Sequence, residues 1–434
     1  MQIIKRVGIA LAWIVGLAFV FAGVNHNDPY LVPLRGTGNL LLVVASVAVV
    51  LMLVRRRAWR RRAWAGKLLV ILWCLPPLAM LAAHGAFEVR KHRVMQTEPL
   101  LARSLGQHFI VGYRSFDEVA PLAESGLIAG IYVTGRNVAG RTVDALKAEI
   151  AALQAKRRAA GLSPLMVATD QEGGIVSHLA PPLTRLPALA SLAELAPEQR
   201  TAKAEEFGRI HGRELASLGV NLNLAPVLDL RPEATRNRFD FNTLTNQRAI
   251  SHDPAKVSAI AGAYIHGLES AGVNATVKHF SGLGRVRADT HHFNADLDTP
   301  VGELEVTDWR PFRDVLSTTG ARLMVGHVAV SALDPARPAS HSKAVIDGLI
   351  RKTWNYQGLV MTDDLVMGAI YQHDVCTAVV EALNAGVDLL LVAYDGAQFY
   401  RLFACASDAV GRDALDAAML HDSETRLRRS LTID

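Results

Sequence analysis

Only three cysteines occur in 434 residues. That is too few for a disulfide scaffold or a zinc ribbon. Charge is scarce too, at 20% Asp, Glu, Lys and Arg, against 50% hydrophobic residues. A chain so poor in charge and so rich in apolar groups is not disordered. No H-E-x-x-H zinc motif occurs, and no H-x-H follows the first apolar run after Met95. The lone G-x-G of Gly282–Gly284 lacks the rest of a dinucleotide-binding fingerprint.

What is abundant is apolar, and it is unevenly spread. Mean hydropathy is +0.19, whereas a wholly soluble enzyme would sit below zero. The surplus lies before about Met95, in three runs. VGIALAWIVGLAFVFAGV follows the basic start MQIIKR, NLLLVVASVAVVLMLV begins at Asn39, and LLVILWCLPPLAMLAAHGAF begins at Leu68. Each approaches the roughly 17–25 residues that span a bilayer. Pro76 and Pro77 predict a kink in the third. A cleaved signal peptide would account for the first run alone, but it lacks a small-x-small cleavage site and two more runs follow. Residues 1–94 therefore read as a membrane anchor of about three transmembrane helices, with residues 95–434 as a separate domain.

The formal charge of +5 and pI near 9.1 invite a nucleic-acid reading. The local basic surplus, however, is mainly RRRAWRRRAWAGK at Arg55–Lys67, between the second and third runs. A cytoplasmic loop at anionic headgroups explains it fully, with Trp59 and Trp64 in the interfacial belt. Nucleic acid is therefore not an expected partner. Three crossings with this loop inside put everything after the third helix outside the cytoplasm. EVRKHR at Glu88–Arg93 runs against that count, and the arginine loop outweighs it.

Beyond Met95, short apolar runs alternate with amphipathic stretches. The runs are HFIVGY at 108, LIAGIYVT at 127, LMVATDQ at 165, VNLNLAPV at 220, NATVKHF at 274, RLMVGHV at 322, GLVMTDD at 358 and DLLLVAY at 388. They read as buried parallel strands. Asp253 and Pro254 form an N-cap and N1 pair for a helix that closes near Gly272. Eight strand–helix units predict a (β/α)₈ TIM-type barrel rather than an open doubly wound sheet.

Barrel chemistry sits at the C-terminal strand ends, and polar residues gather there. Arg136 and Asn137 end the second run, Asp170 and Glu172 the third, and Asp229 the fourth. Lys278 and His279 end the fifth, His327 the sixth, and Asp363 with Asp364 the seventh. Two chemistries suit such a rim. His279, His291, His292, His327 and Asp363 could ligate a hydrolytic metal. Alternatively, Asp170, Arg248, Lys278 and His279 could surround a sugar for glycoside hydrolysis, which needs a carboxylate nucleophile and a proton donor. Residue types favour the second and leave the first open.

These residues sit in strings that resemble glycoside hydrolase family 3, in its single-domain β-N-acetylglucosaminidase branch. The strings are DQEGG at Asp170–Gly174, APVLDL at Ala225–Leu230, R-x-I-x-x-D-P at Arg248–Pro254 and KHFSGLG at Lys278–Gly284. D-T-H at Asp289–His291, MTDDLVMGA at Met361–Ala369 and ALNAGVDLLL at Ala382–Leu391 complete the series. Order and spacing agree from about 100 to 410. The resemblance implies Asp363 as the nucleophile that forms a covalent glycosyl–enzyme. It implies His291, supported by Asp289, as the acid/base. It implies Asp170, Arg248, Lys278 and His279 as substrate-binding residues. It implies no metal or organic cofactor.

The chain departs from the family pattern in two places. KHFSGLG carries Ser281 and Leu283 where the family has proline and histidine. After DQEGG, Ile175 and His178 stand where the family has arginines, one of which reaches the substrate.

Cys74 falls in the third apolar run, and Cys376 and Cys405 in the last two predicted helices. Two separate buried thiols are the expected state of that pair, although an extracytoplasmic domain would permit a disulfide. The expected protein is a retaining β-N-acetylhexosaminidase anchored in the bacterial inner membrane, with its barrel on the periplasmic side. Its substrate would be a saccharide with terminal β-N-acetylglucosamine, such as a peptidoglycan fragment. The alternatives are a β-glycosidase of other sugar preference and a catalytically silent glycan-binding protein.

Overall fold

A computed structural model describes residues 2–55, 64–232, 243–286, 288–290, 292, 294–371 and 374–432. The chain divides into two compact units, Met1–Gln96 and Thr97–Asp434.

The first unit is three helices: α1 (Gln2–Val24), α2 (Thr37–Arg55) and α3 (Trp64–Met95). The stretches Val7–Val24, Thr37–Arg55 and Trp64–Met95 are each long and apolar enough to cross a membrane. α3 runs unbroken through Pro76 and Pro77. Its 32 residues reach well beyond the ~30 Å hydrocarbon thickness of a bilayer, so Glu88–Arg93 occupies its final turns. Most of the arginine loop, with Trp59, lies outside the described residues.

Packing in this unit depends on small residues. Leu69, Leu72 and Trp73 of α3 meet Trp13, Phe19 and Val20 of α1 and Val49, Val50 and Leu53 of α2. The Trp73 indole donates to the Ala12 carbonyl at 3.0 Å. A Cβ on Gly23 would stand 2.9 Å from the Pro76 carbonyl oxygen, so only glycine permits that approach. The outward positions, among them Leu11, Leu17, Phe21, Leu41 and Leu81, are apolar and more than half exposed within the unit.

The second unit is a closed barrel of eight parallel strands. They are β1 (Phe109–Gly112), β2 (Gly130–Tyr132), β3 (Met166–Thr169), β4 (Leu222–Asn223), β5 (Asn274–Phe280), β6 (Arg322–Val325), β7 (Val360–Asp364) and β8 (Leu389–Val392). Each pairs with its sequence neighbour, and β1 closes on β8 with Phe109 opposite Leu390. All eight fall inside the predicted runs. β4 is the shortest, at two residues. Pairing resumes in a single bridge between Val227 and Lys278.

Side chains alternate along each strand. Ile110, Tyr132, Met166, Ala168, Leu222, Met324, Met361 and Leu391 share one core cluster and fill the barrel interior, as its layered packing requires. Helices cover the outside, among them α4 (Val143–Ala159) and α5 (Pro254–Glu269). Asp253 caps α5 through the amides of Ala255 and Lys256. The helix closes at Glu269, and Gly272 takes the left-handed conformation just beyond it.

The expectation of two separate thiols is corrected here. Cys376 of α6 (Val375–Ala385) is disulfide-bonded to Cys405 of α7 (Phe399–Gly411), with Cα atoms 5.2 Å apart. The two helices are packed neighbours that flank β8 in sequence. A spacing of 29 residues does not reveal which helix faces meet. Cys74 is a free thiol.

Candidate active site

Alternation decides which polar groups reach the barrel mouth. Met166 and Ala168 point inward on β3, so Asp170, two residues on, does too. Met361 does the same for Asp363 on β7. On β2, Tyr132 is both core member and mouth residue.

Asp170 receives the Lys278 ammonium and the Tyr132 hydroxyl. Lys278 Nζ also lies 2.7 Å from Glu172 Oε1. Arg248 closes on Glu172 as a fork, with Nη2 at 2.6 Å from Oε1 and Nε at 3.0 Å from Oε2. Burial pushes both carboxyls up, but the cations outweigh it. Lys278 beside Asp170, and Arg248 with Lys278 beside Glu172, hold them at about 2. Burial likewise raises the Tyr132 phenol far above its ordinary value, with Asp170 adding to the effect. The phenol thus keeps its proton and donates it to Asp170.

The neighbouring pair is built differently. His279 Nδ1 lies 2.7 Å from Asp229 Oδ2, and Arg248 Nη2 lies 3.4 Å from His279 Nε2. These contacts suit an imidazole that donates from Nδ1 and accepts at Nε2. Asp229 also accepts the Leu283 amide at 2.7 Å, so the backbone of the departing loop is pinned whatever side chain stands at 283. Leu283 itself is buried, and so is Ser281.

Gly173 and Gly174 turn the chain after Asp170 with φ of +90° and +64°. A Cβ on Gly173 would stand 2.6 Å from the Pro187 carbonyl oxygen. The turn lets Gln171–Gly173 pair antiparallel with Val176–Ser177, and so returns His178 to Asp170, whose carbonyl accepts the His178 amide at 3.0 Å.

The adjacent carboxylates of β7 have separate surroundings. Asp364 is buried and accepts three amides: Val366 at 3.1 Å, Ala393 at 3.0 Å and Tyr394 at 2.8 Å. Burial nevertheless pushes its carboxyl up to about 6, against those three bonds. Asp363 is half-buried at the strand end, where its Oδ1 accepts the Asp364 amide at 2.8 Å. His327 is a lining residue as well. Nδ1 meets Ser340 Oγ at 2.8 Å, and Nε2 donates to the Asp364 carbonyl at 3.0 Å.

Asp170, Arg248, Lys278 and His279 are thus brought together, and Asp363 ends the seventh strand of the same rim. Asp289 is buried and accepts from the Thr243 hydroxyl at 3.2 Å. His291 lies outside the described residues. Sequence reasoning missed Tyr132, which looked like strand core, and gave Glu172 no specific role. The charge pattern D-x-E beside a strand-borne lysine was the available signal for Glu172.

Residues 100–429 match the family described as glycosyl hydrolase family 3 N terminal domain. The chain belongs to glycoside hydrolase family 3. A β-hexosaminidase of Actinobacillus succinogenes is 35% identical over 279 residues, covering 63% of this chain and 76% of that protein. One from Stenotrophomonas maltophilia is 32% identical over 323 residues, covering 70% and 92%. The solved structure of a glycoside hydrolase family 3 β-N-acetylglucosaminidase from Paenibacillus superposes with a TM-score of 0.68 at 29% identity. That match covers 76% of this chain and 62% of the Paenibacillus chain. This family 3 member is accordingly a glycosidase acting on O-glycosyl bonds, with a saccharide as substrate.

Proposed function

We propose that the protein is a retaining β-N-acetylhexosaminidase whose nucleophile is Asp363. The separation of tasks on β7 carries this reading. Asp364 is buried and accepts three amides, whereas Asp363 is the half-buried carboxylate at the strand end. In the first step, Asp363 bonds to the anomeric carbon as the glycosidic C–O bond breaks, and His291 gives its proton to the leaving oxygen. Asp289 orients His291 and balances its charge. In the second step, His291 takes a proton from water, the water oxygen bonds to the anomeric carbon, and the bond to Asp363 breaks. Asp170, Arg248, Lys278 and His279 hold the sugar hydroxyls. The hexosaminidase names of the relatives support terminal β-N-acetylglucosamine as the sugar, and peptidoglycan fragments are its natural source for a bacterial enzyme outside the cytoplasm.

We also propose that Met1–Gln96 anchors the barrel in the inner membrane, with the barrel on the periplasmic side. Two independent observations support it. The arginine loop belongs inside, so α3 exits; counting back puts the start, with Lys5 and Arg6, inside too. A disulfide in the barrel suits an oxidising compartment.

The full chain in detergent would be assayed with aryl β-N-acetylglucosaminide and aryl β-glucoside. Asp363→Ala should lower kcat on the order of 10⁴-fold or more, with no glycosylated protein detectable by intact mass. His291→Ala should lose roughly 10²–10⁴-fold. Undiminished turnover in Asp363→Ala sinks the nucleophile assignment. A preference for the glucoside replaces the hexosaminidase reading with another β-glycosidase, and no turnover of either favours a silent glycan binder.

A further inference from the structure

The shortest strand of the barrel carries an N-x-N pair that the mechanism does not use. Leu222 of β4 packs in the barrel interior, so Asn221 and Asn223 on either side of it point the other way. Both side-chain amides do what the backbone of a neighbouring strand would do. Asn221 accepts the Val167 amide at 2.7 Å and donates to the Leu165 carbonyl at 3.1 Å. Asn223 accepts the Gln171 amide at 3.0 Å and donates to the Gln171 carbonyl at 2.9 Å. The first clamp grips the start of β3, away from the mouth. The second grips the residue between Asp170 and Glu172.

The second clamp is also reinforced. The Tyr264 hydroxyl of α5 accepts from Asn223 Nδ2 at 3.1 Å and donates to the Gln171 carbonyl at 3.3 Å. His211 Nδ1 lies 2.8 Å from the same hydroxyl. Burial lowers the His211 ring to about 4, so this support is uncharged near neutral pH. Asn223, Gln171, Tyr264 and His211 are all buried. The Gln171 amide belongs to the planar peptide that starts at Asp170, and its carbonyl to the one that ends at Glu172. A two-bond clamp on Gln171 therefore fixes both planes at once, and with them the directions in which the Asp170 and Glu172 side chains leave the backbone. Those carboxylates must meet Lys278 and Arg248 within hydrogen-bond reach, which demands placement to within roughly 0.5 Å.

We propose that Asn223 is a positioning residue for sugar binding: through the two peptide groups of Gln171 it sets Asp170 and Glu172 in the directions the site needs, with Tyr264 as its support. The proposal rests on the reading of Asp170 as a sugar-binding carboxylate. Asn223 touches no substrate and acts only through the backbone. Asn221 makes the same kind of clamp at the far end of β3 and serves the fold alone, so the two asparagines are a matched pair.

The test is steady-state kinetics of the full chain in detergent on an aryl β-N-acetylglucosaminide, expressed per folded molecule, beside urea unfolding midpoints. Asn221→Ala and Asn223→Ala should both lower the midpoint. Only Asn223→Ala should raise KM, by roughly 10-fold for a slight misplacement of the binding carboxylates, with kcat held within about 2-fold, as lost uniform binding requires. Tyr264→Phe keeps both bonds from Asn223 to Gln171 and removes their support, so its KM should rise roughly 2- to 4-fold. A wild-type KM in Asn223→Ala overturns the proposal, as does an equal rise in Asn221→Ala. If Asn223→Ala does not fold, Tyr264→Phe decides alone, and a wild-type KM there overturns the proposal. Asp170→Asn separates this from the reading beneath it. A raised KM in Asp170→Asn beside a wild-type KM in Asn223→Ala sinks the clamp and leaves the sugar-binding carboxylate standing; a wild-type KM in Asp170→Asn sinks both.

Discussion

The barrel carries a buried ion cluster at each end, and the two are built to different plans. At the C-terminal ends of the strands, Asp170, Glu172, Lys278 and Arg248 make a shared network in which each cation serves more than one acceptor. At the opposite end, one carboxylate is the hub. Asp388, wholly buried just before β8, receives Arg351 at 2.6 Å, Arg426 at 2.9 Å, the Ser423 hydroxyl at 2.7 Å and the Val360 amide at 2.8 Å. The lower hub spends its acceptors on the protein and ties β7, β8 and the last helix together. The upper network sits among half-buried residues such as His178 and Asp363, which leaves its rim open to a ligand. Burial and pairing alone do not distinguish a site from a brace. What distinguishes them is whether the carboxylates have spent all their bonds on the fold.

The strongest way to break this comparison is to remove one charge from each cluster. Asp388→Asn and Lys278→Met should each destabilise the fold by about 3–5 kcal/mol, because each leaves buried charges unpaired. Urea unfolding would read that loss. The two should separate in kcat/KM per folded molecule, which stays near wild type for Asp388→Asn and falls at least 10²-fold for Lys278→Met. If both variants keep activity, the upper cluster is a brace as well.

Acid sharpens the same contrast. Asp170 and Glu172 sit at about 2 in the folded chain, below their ordinary values near 4. A depressed carboxyl contributes stability above its unfolded pKa and loses it as pH falls through the folded one. Unfolding free energy should therefore drop between roughly pH 4.5 and pH 2, and the slope should be shallower in Lys278→Met. An unchanged acid slope in that variant would separate the two carboxyls from Lys278.

The fold was readable from the sequence because a parallel barrel strand is buried on both faces and therefore shows as a short apolar run. The positions of Asp363 and Lys278 at the strand ends were readable because each brings charge to the end of such a run; their roles came only with the family resemblance. Tyr132 was not, since a tyrosine that ends an apolar strand looks like packing until its hydroxyl is seen on Asp170. Nor was Asp388, because an aspartate before a strand looks like an ordinary turn residue. The Cys376–Cys405 bridge depended on how α6 and α7 face each other, which no local pattern encodes.

That bridge offers a milder perturbation, remote from both clusters in chemistry. Closing a loop across 29 residues contributes about 3.5 kcal/mol in the chain-entropy picture. The double variant Cys376→Ser/Cys405→Ser should lose about that much in urea unfolding and keep the wild-type kcat/KM. A fall in activity that exceeds the unfolded fraction would tie the α6–α7 pair to the mouth of the barrel.

The smallest expected effect is the most discriminating. Tyr132→Phe keeps the ring in the core and removes only the oxygen that joins Asp170 to His178. Asp170 loses one donor but keeps Lys278, so stability should fall by only about 1 kcal/mol. Ground-state binding of the sugar should weaken a few-fold as the proposed sugar-binding carboxylate of Asp170 loses the hydroxyl that holds it, so KM should rise while kcat holds. The complementary change at the lower end is Ser423→Ala. It likewise strips one hydroxyl from a buried carboxylate and should cost a similar amount of stability with no change in KM. A KM shift in both variants, or in neither, would erase the distinction between the two ends of the barrel; a shift in Tyr132→Phe alone would place the boundary of the binding site at that hydroxyl.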